Sequence, residues 1–143
     1  MQVGKLIEGR ASSRIVHCTV DVTLKDAVRL LADKKIGAMP VMEHGKVVGI
    51  VSERDVLYCL AAEGEGTLSK PVREVMTSPA ITITRDDECE EALGLMTRRR
   101  IRHLPVVEGD AMIGFVSIGD LVKTRIDEVS REASAMRDYI QMA

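Results

Sequence analysis

Two short segments hold the residues best placed for chemistry. Ser52-Glu-Arg-Asp55 and Ser117-Ile-Gly-Asp120 each put a hydroxyl three positions before a carboxylate, directly behind an apolar run. That spacing fits a capping box at the start of a helix. It also fits a ligand site: helix-start N–H groups attract anions, and a carboxylate beside them accepts hydrogen bonds from a pair of sugar hydroxyls. The densest charge follows in Arg98-Arg99-Arg100-Ile101-Arg102-His103. Cations in the last turn of a helix complement its dipole, which accounts for Arg98, Arg99 and Arg100. Arg102 and His103 fall past the predicted helix end, against Leu104-Pro105-Val106. Cys18, Cys59 and Cys89 are odd in number, far apart and set in apolar segments, which argues against disulfides or zinc. His17 and His44 read as surface or turn residues. Neither acid has a histidine or nucleophile at motif spacing, so the chain does not read as an enzyme.

These segments recur because the chain is an internal repeat. Val16–Leu57 aligns without a gap on Ile81–Val122 at an offset of 65 residues, with 12 of 42 positions identical. The identities include Asp21 and Asp86, Pro40-Val41 and Pro105-Val106, Gly49 and Gly114, and both Ser-x-x-Asp segments. A weaker echo pairs Val3–Ile7 with Val72–Met76 at offset 69, so the first repeat carries about four extra residues between its leader and its first strand. Fixed-period self-similarity implies one structural unit written twice.

Each copy predicts the same elements. Short β-branched strands are expected at Arg14–Thr19 and Ala80–Thr84. Thr23-Leu-Lys-Asp26 and Asp87-Glu-Cys-Glu90 have helix-start spacing. Apolar residues at 24, 27, 28, 31 and at 89, 92, 93, 96 then form an amphipathic helical stripe. Hairpins follow: Met39–Met42 with Lys46–Val51, and Leu104–Val107 with Ala111–Val116, each closed by a Gly-containing turn. A last helix is expected at about Glu53–Ala62, and again from Asp120 onward. The expected organisation is a first repeat over 1–62, a linker over 63–71, a second repeat over 72–125 and a C-terminal helix over 126–143. Along the tail Val122–Ile140, Val122, Ile126, Val129, Ala133, Met136 and Ile140 keep a heptad-like 4-3 spacing suited to a partner helix.

Composition bounds the function. The 143 residues carry 20 Lys+Arg against 22 Asp+Glu, with no Trp, two Tyr and one Phe. Near-neutral charge and few aromatics argue against nucleic-acid coating and base-stacking platforms. No run approaches the roughly 18 apolar residues of a membrane span, and the first residues lack a signal-peptide core, so no membrane partner and a cytoplasmic location are expected.

The segments Gly49-Ile-Val-Ser-Glu-Arg-Asp55 and Gly114-Phe-Val-Ser-Ile-Gly-Asp120, each following an apolar-x-x-apolar-Pro-Val segment, resemble the cystathionine β-synthase (CBS) domain. Two in tandem resemble a CBS pair, and SERD, MTRRRIRHLPV and VSIGDLVK resemble the stand-alone bacterial proteins. The resemblance implies an α+β fold of two βαββα repeats packed as one pseudo-twofold module. It implies a regulatory homodimer that senses cellular energy or redox state by binding AMP, ADP, ATP, NAD or S-adenosylmethionine between the repeats and passes its state to a regulated protein. On that resemblance Asp55 or Asp120 takes the ribose, with Ser52 and Ser117 at the phosphate. The loop holding Arg102 and His103 borders the phosphates opposite Asp55. The base is expected against Ile15–Val16 or Ala80–Ile81 and against Ile36 or Ile101. The matching loop of repeat one, Gly37-Ala38, is uncharged, so Asp120 is expected to face only small residues and helix-start N–H groups. The alternatives are a nucleic-acid binder centred on Arg98–Arg102, whose affinity would collapse with salt, and a ligand-free association scaffold.

Overall fold

In a computed structural model, residues 1–142 form an α+β pair of repeats. The first contains β1 (Cys18–Thr19), α2 (Leu24–Lys34), β2 (Ala38–Glu43), β3 (Lys46–Ser52) and α3 (Glu53–Glu63), after a short leader helix α1 (Val3–Leu6). The second contains α4 (Cys89–Arg99), β4 (His103–Glu108), β5 (Ala111–Ser117) and α5 (Ile118–Met142). β2 pairs antiparallel with β3 and parallel with β1; β4 pairs antiparallel with β5. Register breaks at Val41/Met42 and Val106/Val107 sit at equivalent positions 65 residues apart. Ala143 lies outside the described residues, so the expected C-terminal helix is seen to Met142.

The predicted helices and hairpins are present; the predicted first strands are much shorter. Only Cys18 and Thr19 pair with β2, and the second copy keeps one bridge, Ile83 to Val106. Ser12–Arg14 instead form a 3-10 turn. β-branched residues signal an extended, half-buried surface, and that is what Ile15 and Val16 make, without ladder partners. Thr23 caps α2 by accepting from the Asp26 N–H at 3.2 Å. Asp87 does not cap α4: Glu88 precedes that helix, and the Asp87 carboxylate accepts from the Thr84 N–H at 2.7 Å. The 63–71 stretch, which reads as linker, is built into the fold. α3 runs to Glu63, Glu65–Ser69 form a 3-10 turn, and Thr67 is buried within it.

The two cores exchange their leaders. Val72 and Val75 are buried among Cys18, Leu24, Met39 and Val51 of repeat one, while Val3 and Ile7 are buried among Ile83, Met96, Leu104 and Val116 of repeat two. The backbone follows suit. The Val3 and Gly4 N–H groups donate to the Asp87 and Arg85 carbonyls, and the Val72 and Arg73 N–H groups donate to the Val22 and Val20 carbonyls. Two of the repeated glycines mark the crossing. A Cβ at Gly49 would sit 2.7 Å from Met76 Sδ and 2.8 Å from the Thr77 carbonyl, and one at Gly114 would sit 3.0 Å from Ile7. At Gly49 a side chain would collide with the leader's backbone, and at Gly114 it would crowd the Ile7 side chain.

Candidate functional site

α2 and α4 end alike, in left-handed residues Lys35 (φ 54°) and Arg100 (φ 55°). The chain reverses there, with the Ile36 and Ile101 N–H groups donating to the Leu31 and Met96 carbonyls, as is common at helix C-termini. The reversal aims Gly37-Ala38 and Arg102-His103 at the middle of the molecule. Two clefts open there.

The first, about 290 Å³, is lined by Gly37, Ser52, Asp55, Ile81, Ile101, Arg102 and His103. Seven of the predicted site residues therefore meet in one place, drawn from both repeats. The Ser52–Asp55 box is formed in full: the Ser52 N–H and Oγ donate to Asp55 Oδ2 at 2.8 and 3.0 Å, and the Asp55 N–H donates to Ser52 Oγ at 3.3 Å. The other carboxylate oxygen accepts from Thr77 Oγ1 at 3.0 Å. Thr77 was missed by sequence reasoning; its place in the second leader, which crosses onto β3, is a tertiary fact. Arg54 and Arg100 also line this cleft, and Arg54 Nη1 donates to the Arg100 carbonyl at 3.4 Å. Arg100, which ends α4, therefore also lines the cleft.

The second cleft, about 520 Å³, holds the remaining predicted residues, Ile15, Val16, Ile36, Ser117 and Asp120, together with His103 again. The Ser117 N–H donates to Asp120 Oδ2 at 2.9 Å, and the Asp120 N–H donates to Ser117 Oγ at 3.1 Å. The expected helix-start N–H is there, but Asp120 does not otherwise face only small residues. Arg10 and Arg14 line this cleft, and Arg10 lays its guanidinium on the carboxylate, Nη1 to Oδ2 and Nη2 to Oδ1, both at 3.4 Å. Burial works to raise the Asp120 carboxyl, but the Ser117 N–H and Arg10 outweigh it and hold it below its ordinary value. The repeat comparison overlooked Arg10 because it has no counterpart in repeat two; the four-residue excess was its one signal.

His103 separates the clefts. Its ring stacks on Phe115 with centroids 5.4 Å apart and planes 14° from parallel. It lines both cavities, as does Ala38, the residue 65 positions earlier. Burial depresses the imidazole pKa; Arg102 adds to that, while Asp120 and Glu53 oppose it. Cys18 is buried and its thiol is pushed up to about 11, the state of an unreactive packing residue. Among the described residues no His, Cys, Asp and Glu cluster could hold a metal, and no helix is long and apolar enough to cross a membrane.

Known proteins share this fold. The chain is 38% identical over 129 residues to the mitochondrial CBS domain-containing protein CBSX3 of Arabidopsis thaliana, covering 87% of this chain and 63% of that protein. It superposes with TM-score 0.81 and 32% identity on the crystal structure of a CBS-domain containing protein from Agrobacterium tumefaciens, covering 87% of this chain and 99% of that one. It superposes with TM-score 0.75 and 26% identity on CBSX2 in complex with AMP, covering 88% and 96%. The CBS domain model matches residues 4–62 and 72–127, and with both repeats matched, the chain belongs to the CBS domain family.

Proposed function

We propose that the chain is a regulatory module, not an enzyme, that binds adenosine-containing nucleotides in the clefts between its repeats and reports cellular energy or redox state to a regulated protein in the cytoplasm. One observation carries the reading: the first cleft sets a fixed carboxylate at a helix start, an apolar strand-and-loop wall, the Arg100 and Arg102 cations and the His103 ring around one cavity. Ligand pockets of roughly 300–1,000 Å³ with a few convergent polar groups are the usual form of a small-molecule site. A ribose diol can donate to the Asp55 carboxylate, the α3 N–H groups face a phosphate, and Ile81 and Ile101 cover a base. The AMP complex of CBSX2 supports an adenine ligand for this chain.

AMP, ADP, ATP and NAD are the candidate ligands, with S-adenosylmethionine as the comparison. A ligand present at about 100 times its Kd stabilises the folded state by roughly 2.7 kcal/mol, so melting curves rank them directly. At least one should raise the midpoint in the parent and not in the Asp55→Ala, Asp120→Ala double variant. Five flat responses would falsify the nucleotide reading.

The module is also proposed to be a homodimer through α5. Val122, Ile126, Val129, Met136 and Ile140 are all exposed, between 39% and 65%. They form one stripe along a helix in which every residue from Val129 to Met142 is exposed.

A further inference from the structure

The two clefts are built on equivalent carboxylates, yet what occupies the outer oxygen differs. On Asp55 it is the neutral hydroxyl of Thr77, at 3.0 Å. On Asp120 it is the charged fork of Arg10, at 3.4 Å. The difference arises from the sequence: seven residues separate Ile7 from Ile15, whereas three separate Met76 from Ala80. Arg10 lies in that excess, next to Gly9 at φ 81° with open space around it. The longer connection lets a cation reach across the cleft mouth to the opposite repeat.

Building on the nucleotide reading, we propose that Arg10 is the specificity-determining residue of the second cleft, holding Asp120 until a ligand arrives and then transferring to that ligand's phosphate. Ribose hydroxyls need the Asp120 oxygens that Arg10 holds, so entry displaces the guanidinium. A neutral nucleoside offers it nothing in return. A 5′-phosphate offers bidentate, charge-assisted bonds, which guanidinium suits better than any other side chain. Arg14, lining the same cavity, adds to the cationic side. The existing pair is suited to exchange. Its 3.4 Å contacts are longer than the roughly 2.7–2.9 Å of a tight charge-assisted bond, and Arg10 and Asp120 keep 46% and 31% of their side-chain surface exposed. The second cleft therefore selects phosphorylated over neutral adenosine ligands, whereas in the first a ligand displaces no charge pair.

The test is the ratio of AMP to adenosine affinity, measured by calorimetry on the full chain carrying Asp55→Ala, so that the second cleft is read alone. Adding Arg10→Gln should tighten adenosine about two- to fivefold, the range expected for losing an exposed ion pair. It should also reduce the AMP preference by about tenfold or more, as the loss of a hydrogen bond to a charged group predicts. Arg10→Lys, which keeps the charge and loses the fork, should fall between. An unchanged ratio with AMP binding intact overturns this proposal alone. Binding of neither ligand by the parent chain overturns the nucleotide reading together with it.

Discussion

Asp55 closes the α3 cap and is the proposed ribose acceptor, and substitution can separate the two. Its carboxylate closes the α3 cap and holds Thr77 Oγ1, so Asp55→Ala should cost about 0.5–2 kcal/mol of stability as a lost cap. Asp55→Asn keeps an acceptor for the cap and removes the charge a ribose would meet. Since a hydrogen bond to a charged group contributes about 1.5–3 kcal/mol, AMP affinity should fall roughly 10- to 150-fold in the Asn variant while its melting point stays near that of the parent. Affinity that tracks stability in both variants would leave Asp55 as a cap only. His103 gives the second test. Burial lowers its folded-state pKa below the ordinary value of 6.5, so the unfolded chain takes up the proton first as pH falls. The stability this neutral ring contributes is present above about pH 6.5 and lost as pH falls toward the folded-state value. Urea unfolding at pH 7.5 and 5.5 should show that loss, and His103→Gln should flatten it. All twelve residues proposed from the sequence line one cleft or the other, because repeat register fixes which loop ends face the centre. Thr77, Arg10 and Arg14 escaped because register says nothing about where a leader crosses or what an insertion reaches.

Helices and hairpins were legible because their signals are local: a capping Thr23 for α2, apolar stripes, and glycine turns between apolar runs. The first strands were less so, since a strand exists only where a partner is in register, and β2 meets just Cys18 and Thr19. Low hydrophobicity made 63–71 read as slack, yet the Lys70 carbonyl accepts from the Leu24 N–H at 2.8 Å and Thr67 is buried; polar composition does not report backbone bonds to distant elements. The element whose consequence is most testable is α5. Leu121 and Thr124 are buried and anchor its start, while every side chain from Val129 to Met142 is exposed. The overhang continues a helix already nucleated at its anchored start, and its 4-3 spaced apolar stripe is the surface that the proposed homodimer would pair with the same stripe of a second copy. Deleting Glu128–Ala143 should leave a cooperatively folded chain whose sedimentation moves from dimer toward monomer at micromolar concentration. A dimer unchanged by the deletion would place the interface on the repeats themselves and leave the tail for the regulated protein.

At the scale of the molecule, the leader exchange makes the folding units differ from the sequence repeats. Every buried residue of the first core lies between Cys18 and Val75, and the partly buried residues packed on it extend from Val16 to Met76. A fragment cut as the repeat reads, 1–62, lacks Val72 and Val75 and keeps Val3 and Ile7, whose partners belong to the other half. Full burial of an aliphatic side chain contributes about 1.5–3 kcal/mol, so losing two valines removes roughly 3–6 kcal/mol. Whole domains have only about 5–15 kcal/mol to lose, and a chain of some 60 residues starts near the low end. Fragment 8–77, by contrast, contains the complete core, the Val72–Val22 and Arg73–Val20 backbone bonds, and the Thr77–Ile50 pair that pins the second leader to β3. It should therefore show a cooperative thermal transition by circular dichroism, while 1–62 unfolds gradually or is already unfolded at 25 °C. The reverse order, a cooperative 1–62 beside an unfolded 8–77, would mean that each leader can fold back onto its own repeat and that the crossing seen here is not what holds the two halves together.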